Sequence, residues 1–123
     1  MRDERGSVSI VVAALAGVLL VLAMGEADLV RVFDAAAKAQ TAADAAALAA
    51  AQALAIPDGS GTPEQLAGEY AARNGAVLET CGCEAGSFEA TVSVRLPLGE
   101  LFLLGGSRSV VAEARAVVDL PSL

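Results

Sequence analysis

Nineteen consecutive residues without a charge, Ser7 to Gly25, constrain this chain more than any other feature. With Ile10, Val11, Val12, Leu15, Val18, Leu19, Leu20, Val21 and Leu22 at its heart, the stretch matches the roughly 20 apolar residues a helix needs to cross a hydrocarbon core. Such a chain is expected at a membrane. Its flanks admit three readings. A removable secretory signal needs a basic leader, an apolar region of about 7 to 15 residues and a small-x-small cleavage site. It fits poorly, because Arg2 and Arg5 are balanced by Asp3 and Glu4 and the apolar run is longer. A permanent N-terminal anchor fits the length. In the third reading a peptidase cuts after a glycine ahead of the apolar segment and leaves the helix on the mature protein. Gly6 and Ser7 stand where that cut would fall.

Charge sets the expected orientation, since the side richer in Lys and Arg stays in the cytoplasm. Arg2, Arg5 and the amino terminus lie before the segment, and the first charges after it are Glu26 and Asp28. The amino terminus is therefore expected in the cytoplasm and the region from Glu26 onward outside it. The net charge of −7 comes entirely from that outer region, because the leader is neutral. An acidic surface repels phosphate, so no nucleic-acid partner is expected.

Composition also speaks against catalysis. The chain has no His, the commonest general base and metal ligand near neutral pH. Its two Cys cannot alone complete a four-ligand zinc site. The acids Glu79, Glu84, Glu89, Glu100 and Glu113 are scattered among small residues. No enzyme activity, cofactor or metal is expected. With only Phe33, Tyr70, Phe88 and Phe102 as aromatics, the core available to fewer than a hundred residues is modest.

From Glu26 to Ala55 alanine dominates, and no Gly or Pro interrupts from Ala27 to Ile56, so the helix is expected to continue from about Val8 to Ala55. Asp34, Lys38, Thr41, Asp44 and Gln52 share one side. Ala36, Ala39, Ala43, Ala46, Ala47, Ala50 and Leu54 share the other. The smooth alanine face suits either this chain's own sheet or self-association with another copy. Two prolines and two glycines between Ile56 and Pro63 make a loop. Thr62, Pro63 and Gln65 then open a short helix to Arg73, stopped at Asn74-Gly75.

Period-two alternation follows. Phe88, Ala90, Val92, Val94 and Leu96 alternate with polar residues, as do Val110, Ala112, Ala114, Ala116 and Val118, and Ala76 to Thr80 is a third strand. The expected fold class is α+β: a long N-terminal transmembrane helix, a short second helix and a small three-stranded antiparallel sheet packed on the long helix. The expected organisation is a leader at 1–6, a transmembrane segment at 7–25, an extracytoplasmic helix extension at 26–55 and a small α+β domain at 56–123. The connection Pro97 to Ser107 carries Leu101, Phe102, Leu103 and Leu104, which either plug the core or contact a membrane or partner. Cys81 and Cys83 can bridge only if the backbone turns at Gly82. Intermolecular pairing and free thiols are the alternatives.

The charged leader, Gly6-Ser7, the apolar helix and the run Gln40-Thr41-Ala42-Ala43-Asp44-Ala45-Ala46-Ala47-Leu48-Ala49 resemble the TadE/TadG-like proteins of tight-adherence pilus systems. The strand-like Ala90 to Leu96, Pro97 to Phe102 and Val111 to Ala116 are similar to that family's closing strands. In particular, the chain resembles the small actinobacterial TadE-like proteins encoded beside a helicase and secretion genes. The resemblance implies a pseudopilin, cut after Gly6 by a prepilin peptidase and partnered by the membrane and by other pilin-like or secretion-system subunits. One departure stands out. A cut after Gly6 puts Val11 at the fifth mature position, where pilin-like proteins usually carry Glu, which speaks against the main subunit of a filament. The competing readings are an uncleaved envelope protein that binds a partner or lipid through Leu101 to Leu104, and a secreted effector.

Overall fold

The computed structural model describes residues 4–103 and 105–121. One helix, α1, runs unbroken over Glu4–Ala55, about 78 Å at 1.5 Å per residue. It begins a turn earlier than its apolar pattern alone indicates, so Gly6 and Ser7 are already helical. From Gly6 to Met24 every residue is exposed, Ile10, Val11, Leu15, Leu19 and Leu22 among them. Among the described residues, α1 is the one helix long and apolar enough to cross a membrane, and its most apolar stretch has a mean hydropathy of 2.7 with no residue buried. Apolar area left bare in water is unfavourable at roughly 25 cal/mol per Å². Lipid removes that cost.

The second half of α1 is the floor of the folded part. Ala35, Ala39, Ala42, Ala43, Ala46, Ala47, Ala50 and Ala51 are buried against the second helix α2, Pro63–Arg73, and the strands β2, Glu89–Leu98, and β3, Arg108–Val117. The buried face is wider than a single stripe because α2 and the sheet approach it from two directions; Ala36 and Leu54 lie at its margin and are only partly covered. Of the two occupants open to the alanine face, the chain's own sheet and second helix take it. Alanine has no side chain beyond Cβ, so neighbouring backbones approach closely, and the largest fully buried side chains are only Val92 and Val94.

Helix α2 starts with a reciprocal capping box: the Gln65 N–H donates to Thr62 Oγ1 at 3.2 Å and the Thr62 N–H to Gln65 Oε1 at 3.0 Å. It ends in a left-handed turn at Gly75, φ +77°. There the Ala76 N–H reaches the Ala71 carbonyl at 3.0 Å and the Gly75 N–H reaches that of Ala72 at 3.0 Å, the six-to-one and five-to-two pair that closes a helix.

Strand β1, Val77–Gly82, opens an antiparallel meander in the order β1-β2-β3. Ala90, Val92, Val94 and Leu96 of β2 point to the helix and are buried, while Val110, Ala112, Ala114 and Ala116 of β3 pack at the edge of the same core. Pro97 does not end β2, contrary to the expectation of a connection beginning there. It pairs with Ser109, and Leu98 with Arg108. β1 begins opposite Arg95, so at Pro97 the strand has a neighbour on one side only, where a residue without an N–H is tolerated. The connection is thereby shortened to Gly99–Ser107.

Candidate membrane-proximal site

The connection Gly99–Ser107 lies against α1 just past the charge-free segment. Both Asp28 carboxylate oxygens accept backbone hydrogen bonds there, Oδ1 from the Phe102 N–H at 2.8 Å and Oδ2 from the Leu103 N–H at 2.7 Å. Asp28 is 4% exposed. A buried acid is costly unless hydrogen-bonded, and these donors answer that cost while fixing the loop. One helical turn on, Arg31 donates to the Glu100 carbonyl at 3.2 Å, and its guanidinium lies 4.7 Å from the centre of the Phe102 ring, within cation–π range. Leu103 rests on Gly25, where an added Cβ would come 3.5 Å from its Cδ1.

The apolar run in this loop divides. Leu101 is 6% exposed and plugs the core, which removes it from any external contact, whereas Phe102 and Leu103 are 58% and 49% exposed. Leu104 lies outside the described residues. Asp28 is the residue that sequence reasoning missed. As a charge just past the apolar segment it marks orientation, yet it also stands seven residues before Ala35 and eleven before Ala39, on the face that becomes buried. An acid on an otherwise small, apolar helix face was the available signal.

Gly6 and Ser7 lie at the opposite end of the charge-free segment, and a side chain added at Gly6 would meet nothing within 4 Å. Cys81 and Cys83 are joined as a disulfide with Cα atoms 5.4 Å apart, inside the range the bond requires. Gly82 between them passes close to the neighbouring strand, where an added Cβ would lie 3.5 Å from the Thr91 carbonyl oxygen. At the far end of α1 an open groove of about 660 Å³ runs between Gln52, Ile56, Tyr70 and Arg73. On its rim the Asp58 carboxyl is held below its ordinary pKa of 3.8 by hydrogen bonds from the Ser60 side chain and backbone N–H. Among the described residues no three His, Cys, Asp or Glu side chains gather as a metal site.

Fold and site thus define a class: an α+β protein with one helix long and apolar enough to cross a membrane, bare at one end and carrying a small folded body at the other. Residues 6–53 match the family model described as putative Flp pilus-assembly TadE/G-like, and over that segment the chain is similar to that family. The match covers α1 and stops before α2 and the sheet. Comparison with curated proteins and with solved structures finds no match.

Proposed function

We propose that the protein is a TadE-like pseudopilin, a minor structural subunit of a tight-adherence-type pilus or secretion apparatus. The observation that carries this reading is the unbroken α1, which joins a bare apolar half to a half buried under the chain's own sheet and coincides with the Tad-like match. Such a helix holds a folded body at a fixed height above a bilayer and leaves its apolar half free to pack among lipids or other apolar helices. Residues 1–6 act as a leader, 7–25 span the membrane, and 26–55 pack with 56–123 as one extracytoplasmic body. On that oxidising side the Cys81–Cys83 bridge persists. The partners are other pilin-like or secretion-system subunits, and the role is assembly without catalysis.

Intact mass of the membrane-derived protein tests this reading. The mature chain is expected to start at Ser7, and Gly6→Leu to retain the leader while still inserting. The free space around Gly6 separates a processing defect from a folding defect. A wild-type chain that keeps its leader would instead favour an uncleaved envelope protein, a reading consistent with the absence of any acid in Ser7 to Gly25.

A further inference from the structure

The loop Gly99–Ser107 is built with more care than a β-hairpin connection needs. Its backbone is fastened to α1 by two hydrogen bonds to Asp28, one of its leucines is spent on the core, and the next two residues, Phe102 and Leu103, are held outward. A loop serving only to join β2 to β3 gains nothing from ordering two large apolar side chains at the surface.

Height along the helix explains the arrangement. The charge-free segment of 19 residues is about 28 Å long at 1.5 Å per residue, close to the roughly 30 Å of a hydrocarbon core. Gly25, Asp28 and Arg31, which meet the loop, lie within about 9 Å of its end. Leu103 lies on Gly25, the last residue of the segment, so the loop meets the span at its end. This is the level at which interfacial segments seat Phe and Leu side chains, at the boundary between headgroups and acyl chains. Arg31, exposed and lying over the Phe102 ring, can keep its charge among headgroups while its stem follows the apolar surface.

We propose that Gly99–Ser107 is a lipid-seated foot, with Phe102 and Leu103 inserted at the boundary between headgroups and acyl chains beside the helix. The inference rests on the reading of Ser7–Gly25 as a span. It assigns the second membrane contact of the body to a segment 77 residues away in sequence from Gly25 to Phe102, and so fixes the rotation of the body about the helix as well as its height.

The chain contains no Trp, so a single introduced indole reports alone. Three full-length variants, Phe102→Trp, Val18→Trp and Leu48→Trp, all at exposed positions, would be reconstituted in phosphatidylcholine vesicles brominated either near the headgroup or deep in the acyl chain. Phe102→Trp is expected to be quenched severalfold more by shallow than by deep bromine, with blue-shifted emission. Val18→Trp should prefer deep bromine, and Leu48→Trp, about 34 Å beyond Gly25, should respond to neither. An unquenched, red-shifted Phe102→Trp beside a deeply quenched Val18→Trp would overturn the lipid foot alone and leave the patch to a protein neighbour. An unquenched Val18→Trp would overturn the span itself, and the foot with it.

Discussion

The two halves of α1 handle apolar surface in opposite ways. In Ser7–Gly25 the large side chains, Leu, Ile and Val, all face outward and none is buried, whereas in Ala35–Ala51 the buried residues are all alanine. Apolarity alone therefore does not mark the half that forms the protein's own core. Side-chain size does. Large side chains present area to a fluid solvent of lipid, while Cβ-only residues let a sheet and a second helix approach from two sides. The difference can be attacked from each side.

The largest effect should come from a charge in the bare half. Val18→Asp is expected to disfavour membrane integration by about 3 kcal/mol, read as a loss of carbonate-resistant protein, while α2 and the sheet keep their fold in detergent. Next, Ala46→Leu should destabilise the packed half by about 2 kcal/mol through overpacking, seen as a lower denaturant midpoint in micelles, and Leu19→Ala should leave that midpoint unmoved. Equal responses to those two substitutions would abolish the distinction between the halves. At the boundary Asp28→Asn exchanges one acceptor oxygen for a donor that faces an N–H. The expected loss is about 1.5 kcal/mol, confined to the loop and measured as faster amide exchange at Phe102 and Leu103 with unchanged exchange at Val92 and Val94.

Much of this was legible in the residues because it depends on local rules. The apolar length of α1, the Thr62–Gln65 capping box, the Gly75 stop and the alternation of Ala90 to Leu96 each follow from neighbours within one or two turns. Even the exposed Asp34–Lys38 pair, 2.8 Å apart, follows from a spacing of four on one helix. What the sequence left open depended on distant partners. Whether the alanine face meets its own sheet is decided by β2 and β3, more than 35 residues further on. Whether Pro97 ends its strand is decided by where β1 begins opposite it. The role of Asp28 needed two N–H groups 74 and 75 residues away, and no local pattern announces them. The splitting of the apolar run into an inward Leu101 and an outward Phe102 and Leu103 belongs to the same kind, since alternation in a loop has no fixed period.

The unbroken course of α1 has a mechanical consequence. With no Pro within it and continuous helical geometry through Gly17 and Gly25, the helix is a lever whose short arm is the bare apolar stretch and whose long arm bears the body. About 45 Å of it extends past Gly25. A spanning helix leaning by about 20°, the average for such segments, carries the far end near Ala55 roughly 15 Å sideways. Any torque on the body is likewise delivered to the span undamped.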